Sequence, residues 1–412
     1  MVDRTFEAAL ATKGGRGTRG SNSLILTGLT GGHAIFHFLH QSFLVVLPVL
    51  RDALGISPLQ VGAMITAREV ASGLVSIPGG LICDRLQRYW GLILAICIGG
   101  FGLGWLAVGL SPAYSILIIG MVVIAMSSSI WHLPAMAILS QRFSHRRGTA
   151  LAVHGVGGNI GDVLGPMLTG ILLAYLTWRG VLCAYAAVPL FLTFVVLWTF
   201  REIGRSPGDS PAHATPKAQV KVTTDLLKNR TLWRVNLVSG LRGMCYEVYV
   251  TFLPLHLADE LGFDSKAIGF HVALMFSVGI LASPAMGYLS DRFGRKAVLV
   301  PTLLGSCVLS VILALFGQGI ALTVIVGFLG LFLRSDYSLL SATALDIVGH
   351  QVATTMLGVL SFSRFVMAAI SPLIAGFLYQ TRGMDATLYY AAGLFALAAV
   401  IFTTTNLRPG EA

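Results

Sequence analysis

The chain has 412 residues, of which 55% are hydrophobic and only 11% are charged. Soluble domains carry about 25% charged residues, so this composition excludes an ordinary water-soluble fold. The net charge of +10 sits in short polar segments between apolar stretches. It does not predict nucleic-acid binding, which needs a basic patch on a soluble face.

Residues 1–22 are polar and basic, with Arg4, Lys13, Arg16 and Arg19. They lack the small-residue cleavage site that follows the apolar core of a signal peptide. We expect a disordered cytoplasmic tail.

Apolar stretches of about twenty residues follow from residue 23 to residue 405, each long enough to cross a hydrocarbon layer of about 30 Å as a helix. Backbone polar groups in lipid must be satisfied within the segment, which favours helices. The sequence therefore predicts an all-α integral membrane protein with twelve transmembrane helices. The predicted spans are 23–50, 58–82, 91–110, 114–139, 148–176, 179–200, 232–257, 267–289, 297–316, 320–345, 353–379 and 385–405.

The chain repeats itself at an offset of 207 residues. Gly55 falls on Gly262, and Gly62 falls on Gly269. Between the two copies lies a polar segment, 201–230, with three prolines, which is typical of a linker. We therefore expect two pseudo-symmetric six-helix bundles at 23–200 and 231–405, a cytoplasmic linker at 201–230 and a cytoplasmic tail at 406–412.

The distribution of Lys and Arg predicts the orientation. With the N-terminus inside, most of the 28 basic residues lie on the cytoplasmic side, and Arg51, Arg179, Lys266 and Arg382 lie outside. Positive charge favours the cytoplasmic side. We expect both termini in the cytoplasm of a bacterial-type inner membrane, and a multi-pass monomer surrounded by lipid.

A short motif occurs once in each half, between the second and third predicted spans. Its residues are Gly80, Asp84, Arg85 and Arg88 in the first copy, and Gly287, Asp291, Arg292 and Arg295 in the second. The spacing and the duplication resemble the signature loop of the major facilitator superfamily. The resemblance implies a secondary transporter that works by alternating access, in which these residues form a conformational latch. Asp84 would then pair with the start of span eleven. The first copy has Gln87 where glycine is usual, so we expect its turn to differ.

Span five contains Gly161, Gly165, Pro166 and Gly170, and proline kinks a helix while glycines make a close packing face. The motif resembles the antiporter motif of the same superfamily, although Thr169 replaces a usual glycine. The alternative is a kinked packing contact without directional meaning.

Ser127 to Gly170, with His132, resembles the fosmidomycin-resistance branch of drug exporters. That branch has an aspartate at the position of His37 and Pro-Glu at the position of Leu133-Pro134. This chain therefore lacks the pair of acids found there. The two resemblances imply proton-coupled efflux of a small organic molecule or drug.

Ionisable residues within spans must face protein or water, because a charge at a helix centre costs about 2.5–3.5 kcal/mol. Several lie on helices one, four, seven and ten, which line the cavity in the family resembled. The proton-coupling candidates are Glu247, Asp336, Asp162, His33, His37, His132 and Glu69. The substrate-cavity candidates are Phe36, His40, Trp131, Arg242, Tyr246, Arg334 and Tyr337.

Other functions fit less well. The five cysteines show no CxxC pairing, so we expect neither a disulfide nor a metal site, and no cofactor. His33, His37 and His40 resemble one histidine box of membrane desaturases, but the remaining histidines are scattered, so we do not expect an enzyme. No glycine-rich nucleotide loop with lysine is present. A proton-coupled uptake symporter or a uniporter of a small metabolite stays open, and a non-transporting sensor is a more distant alternative.

Overall fold

The computed structural model describes residues 21–200, 203–204, 228–348 and 353–407. Most of the predicted tails and of the predicted linker lies outside these residues. The described chain folds into twelve long helices and contains no strand, which confirms the predicted all-helical fold. The helices are α1 Asn22–Leu54, α2 Pro58–Arg85, α3 Trp90–Gly109, α4 Tyr114–Arg142, α5 Arg147–Leu172, α6 Trp178–Thr199, α7 Arg230–Asp259, α8 Ser265–Phe293, α9 Arg295–Phe316, α10 Gly319–Val348, and α11 and α12, the parts of Ala353–Thr403 before and after Gly383.

Side chains at the helix ends fix several boundaries. The Asn229 side chain accepts hydrogen bonds from the amides of Thr231 and Leu232, and the Asp264 side chain accepts one from Ala267. These contacts satisfy amides that have no partner within a helix. The boundaries of α7 and α8 therefore follow from local chemistry.

Glycines with positive φ end helices at equivalent points of the two repeats. Gly55 has a φ of 63° after α1, and Gly262 has a φ of 65° after α7. Left-handed backbone of this kind suits glycine, which has no Cβ. The 207-residue repeat therefore extends to the backbone conformation of these turns.

Helices α11 and α12 are separated by one residue, where the sequence predicts a loop. Gly383 has a φ of 76° and a ψ of −172°, and helical backbone resumes immediately afterwards. The Met384 amide donates to Glu260 Oε1 at 3.2 Å, so a side chain from the end of α7 satisfies an amide at the start of α12. A single glycine is sufficient to break the helix here.

The packing of the described residues separates two compact units. The first contains Met1–Phe43 and Leu74–Pro211, and the second contains Leu44–Gly73 and Ala212–Ala412, as far as these ranges are described. In the first unit α3 packs against α4 and α6. In the second, α7 packs against α11 and α12, and α8 packs against α10. The division into bundles at 23–200 and 231–405 stays a prediction.

The start of α2 belongs to the second unit through close backbone contacts with α11. A Cβ added to Gly62 would lie 2.1 Å from the Pro372 carbonyl oxygen, and one added to Gly376 would lie 2.6 Å from that of Pro58. Only glycine permits such an approach. These contacts join residues that the chain order assigns to different halves.

Eight helical segments of the described chain are long and apolar enough to cross a membrane, by length and composition alone. One of these segments, Arg364–Thr403, spans the break at Gly383. Helices α2, α5 and α7 are not among these eight segments. These three helices contain Glu69, Asp162 and Glu247, which are all buried. Each of these three helices therefore carries one buried acid, as the more apolar α10 does with Asp336.

Candidate functional site

A buried ion-pair cluster joins α2 to α7 within the second unit. One guanidinium nitrogen of Arg68 lies 2.8 Å from Glu69 Oε1 and 3.4 Å from Glu247 Oε2. The three side chains are 13%, 10% and 5% exposed, respectively. Buried charges require such pairing, because an unpaired one is costly. The guanidinium of Arg68 therefore forms ion pairs with two buried carboxylates.

Further charges from α7, α10 and α11 surround this cluster. Arg242 and Arg364 act electrostatically on Glu247, and Arg242 also acts on Asp336. Asp336 is fully buried, and its carboxylate oxygens have no hydrogen-bond partner of normal geometry among the described side chains. We call the six residues Arg68, Glu69, Arg242, Glu247, Asp336 and Arg364 the charge network. The predicted carriers Glu247, Asp336 and Glu69 all belong to it.

Two predicted cavity residues line an open recess beside the network. The Arg242 guanidinium carbon lies 5.3 Å from the centroid of the Tyr246 ring, a cation–π contact. Tyr246 and Arg334 line this small recess, whose other walls are Met275, Phe276, Gly330 and Leu333. The side chain of Tyr337 lies outside the described residues.

The remaining predicted proton carriers meet in the first unit, where α1, α4 and α5 pack together. His37 Nδ1 lies 2.7 Å from Asp162 Oδ1, and Gln41 Nε2 donates to the same oxygen at 3.0 Å. The ring centroids of His33 and His37 are 4.5 Å apart, and those of His33 and His132 are 5.1 Å apart. We call His33, His37 and His132 the histidine cluster.

Other aromatic candidates pack beside the histidine cluster. Phe36 and Trp131 are 0% and 2% exposed, with ring centroids 4.8 Å apart. His40 is partly exposed, and its Nδ1 bonds with the Phe36 carbonyl oxygen at 2.9 Å. Both Phe36 and Trp131 therefore support the helix packing around the cluster and present almost no surface to a substrate.

Glycines of the α5 motif hold α5 tightly against α1. A Cβ added to Gly161 would lie 2.3 Å from the Ala34 carbonyl oxygen, and one added to Gly165 would lie 2.4 Å from that of Phe38. Pro166 and Gly170 are buried in the same helix. This close approach brings Asp162 of α5 within hydrogen-bond distance of His37 on α1.

The two copies of the repeated loop motif differ in structure. In the second copy Arg295 Nε donates to Asp346 Oδ2 at 2.7 Å, and another Arg295 nitrogen donates to Asp291 Oδ1 at 2.5 Å. Gly294 has a φ of 94°, whereas Gln87 of the first copy begins a short 3-10 helix. Positive φ disfavours side chains, so Gln87 requires the different turn.

The other residues of the repeated motif are exposed charged side chains and glycines next to open space. Asp84, Arg85, Arg88 and Arg292 are exposed. A Cβ added to Gly80 or to Gly287 would meet open space. The residues immediately before α11, 349–352, lie outside the described part of the chain, so the predicted pairing of Asp84 with the start of span eleven stays a prediction.

Arg68, Gln41 and His154 were not among the predicted site residues. Arg68 adjoins Glu69 in sequence, and an arginine next to an acid inside a predicted span was the available signal. His154 stacks on His33 with ring centroids 4.1 Å apart. No sequence spacing indicates this contact, because it joins α5 to α1.

Known proteins resemble most of the chain. The family model of the major facilitator superfamily matches residues 29–256 and 235–411. The fosmidomycin resistance protein of Escherichia coli (strain K12) is 25% identical over 340 residues, which cover 80% of each chain. The probable sulfoacetate transporter SauU of Cupriavidus necator is 24% identical over 369 residues, covering 82% of this chain and 83% of that one.

A solved structure shares the fold. It is a bacterial homologue of the human lysosomal transporter Spinster, with a TM-score of 0.79 and 15% identity over 97% of this chain and all of that one. The predicted family and its two-domain helical fold are thereby confirmed. The chain belongs to the major facilitator superfamily and is a multi-pass membrane transporter of small molecules, not an enzyme.

Proposed function

We propose that this transporter couples the movement of a small organic anion to that of a proton, by alternating access. The observation that carries the proposal is the position of Arg68 between the buried carboxylates of Glu69 and Glu247. An arginine with two alternative acidic partners can release one of them when a proton or an anion arrives. The buried charges then rearrange without leaving any one unpaired.

The balance of charge in the network supports a coupling in which the proton and an anion favour each other's binding. Three arginines face three carboxylates, so the formal charges, +3 and −3, cancel when all six are ionised. A proton on one carboxylate leaves an uncompensated positive charge, which is costly to bury. An organic anion restores neutrality, so proton and anion favour each other's binding, and the linkage is reciprocal. This coupling predicts that the anion and the proton cross the membrane together in the same direction.

Several relatives have names that fit an anionic substrate. Besides the probable sulfoacetate transporter, a glycerol-3-phosphate transporter of Bacillus subtilis (strain 168) is 22% identical over 86% of this chain and 85% of its own. Both named compounds carry negative charge at neutral pH. Arginine binds carboxylate, sulfonate and phosphate groups through paired hydrogen bonds, so the three arginines of the network suit such ligands.

Export by proton antiport is the second candidate. It is favoured by the α5 motif, whose glycines and Pro166 match the antiporter pattern, and by the similarity to the fosmidomycin resistance protein. In this mechanism an organic cation competes with the proton for Glu247 or Asp336. The two candidates therefore differ in substrate charge and in the direction of proton movement.

Proteoliposomes with an internal pH-sensitive dye separate the two candidates. Glycerol 3-phosphate, sulfoacetate and glucuronate are added outside as probe anions, and tetraphenylphosphonium as a probe cation. Cotransport acidifies the lumen when an anion is added, whereas antiport makes it alkaline when the cation is added. If no probe anion causes acidification, the anion proposal is refuted.

Matched carboxylate variants test the assignment of the carriers. Glu247→Gln and Asp336→Asn should move substrate with greatly reduced proton flux. Asp385→Asn removes an exposed carboxylate on α12 and should behave like the unmodified protein. Unchanged coupling in both network variants would show that the proton is carried elsewhere.

A further inference from the structure

The three side chains of the histidine cluster do not belong to the charge network, and their ring nitrogens lie close together. One ring nitrogen of each of His33, His37 and His132 lies within 4.8 Å of one from each of the other two. An ion about 2.0–2.1 Å from three imidazole nitrogens, at tetrahedral angles, places the ring centroids about 5 Å apart. The observed centroid distances are 4.5, 5.1 and 6.5 Å. Two of the three distances are therefore close to those of a three-histidine metal site, and the distance between His37 and His132 is about 1.5 Å longer.

Hydrogen bonds orient all three rings in the same way. His33 Nδ1 lies 2.8 Å from the His154 carbonyl oxygen, and His132 Nδ1 lies 2.7 Å from that of Ser128. His37 Nδ1 lies 2.7 Å from Asp162 Oδ1. Carbonyl and carboxylate oxygens accept, so each Nδ1 carries the hydrogen and each Nε2 keeps its lone pair. Among the described residues, no hydrogen bond reaches these Nε2 atoms.

This arrangement matches what a metal site requires beyond its ligands. A ligating histidine typically donates its other N–H to a carboxylate or a backbone carbonyl, which fixes the ring and raises its basicity. Here one of the three acceptors is the Asp162 carboxylate, which is fully buried and bonded to Gln41 as well. Its negative charge would offset part of the charge of a cation held by His37.

The neighbouring backbone leaves room for the rings. A Cβ added to Gly158 would lie 2.7 Å from His33 Cε1 and 3.2 Å from His37 Cδ2. The His37 side chain is 30% exposed. Glycine at residue 158 thus allows the two imidazoles to lie against α5.

We propose that His33, His37 and His132 bind one divalent transition-metal ion through their Nε2 atoms. Three neutral imidazoles suit Zn²⁺, Co²⁺, Ni²⁺ and Cu²⁺, and they discriminate against Mg²⁺ and Ca²⁺, which prefer oxygen ligands. Three protein ligands leave at least one coordination position for water or for an oxygen atom of a bound molecule. The site shares no residue with the charge network, so it does not depend on the proposed coupling mechanism.

Metal binding to the full-length protein tests the proposal directly. The protein is purified in detergent through an affinity tag without histidine, treated with EDTA and titrated with Co²⁺, whose visible bands report imidazole coordination. We expect one Co²⁺ ion per chain, displaced by Zn²⁺ and not by Mg²⁺. Zn²⁺ should also raise the melting temperature, because a ligand that binds only the folded state stabilises it.

Four variants distinguish a metal site from a packing cluster. His37→Gln and His132→Gln should lose the Co²⁺ bands and the stabilisation by Zn²⁺. Asp162→Asn should keep one ion per chain with about 10–100-fold weaker affinity. The matched control is His271→Gln, because the Nδ1 of His271 also bonds with a carbonyl oxygen, that of Ala267 at 2.8 Å. This control should bind Co²⁺ like the unmodified protein.

Several results would overturn the site. They are the absence of Co²⁺ bands in the unmodified protein, equal displacement by Mg²⁺, or unchanged binding in folded His37→Gln and His132→Gln variants. Size-exclusion profiles and melting curves without metal establish that each variant is folded. The Asp162→Asn variant is a further test, because it keeps the three proposed ligands and should weaken only the affinity for the metal ion.

Discussion

Replacement of Gly161 by alanine should loosen the contact between α1 and α5. The added Cβ would lie 2.3 Å from the Ala34 carbonyl oxygen, 2.7 Å from the Phe38 amide nitrogen and 3.0 Å from His37 Cβ. Unstrained C···O contacts begin at about 3.3 Å, so the two helices must separate by about 1 Å. Overpacking of this kind costs about 1–3 kcal/mol of the free energy of unfolding.

The control is Gly155→Ala in the same helix, where an added Cβ meets nothing within 4 Å. Alanine is favoured over glycine in a helix by about 0.5–1 kcal/mol, and this gain is common to both variants. The difference between them therefore isolates the cost of the contact. Melting curves in one detergent should place Gly161→Ala clearly below Gly155→Ala. Equal melting temperatures would refute the argument that backbone contact at Gly161 sets the distance between α1 and α5.

Two further substitutions test other parts of the fold by the same measurement. Gly294→Ala should destabilise the protein by about 1–3 kcal/mol, because a φ of 94° with a ψ of 153° is nearly restricted to glycine. Gly287→Ala, in open helical surroundings, is its control, and equal stability of the two would contradict the reasoning. Tyr249→Phe should cost about 0.5–1.5 kcal/mol, because it removes a buried hydrogen bond with Ser310. Tyr389→Phe, at an exposed tyrosine, should cost nothing measurable, and a comparable loss there would show that the hydroxyl of Tyr249 contributes little.

Sequence reasoning predicted the helices well and their contacts poorly. Apolar run length located the spans, and the repeat located the turns at Gly55 and Gly262. The boundary between α11 and α12 was less visible, because one glycine at positive φ replaces the expected loop. The substitution of Gln87 for glycine correctly indicated a different turn in the first copy of the repeated motif.

In the candidate site too, sequence reasoning identified residues but not the contacts between them. His132 was counted among scattered histidines, yet it lies beside His33 and His37 once α4 packs on α1. Asp162 was a proton-coupling candidate without an assigned partner, and its bond with His37 gives it a specific partner 125 residues away. Phe36 and Trp131 were predicted to line a cavity because of the helices they lie on; they are 0% and 2% exposed, and their role in a cavity stays a prediction.

Hydrophobic length, charge position and internal repetition belong to short stretches of chain, so the sequence alone determined the membrane class, the helix count and the family. The pairing of Arg68 with Glu247, 179 residues apart, depends on how each helix is rotated about its axis and which turns face each other. Those variables are set by close glycine contacts and side-chain packing between helices. The tertiary structure alone therefore decided which buried charges and which imidazoles meet.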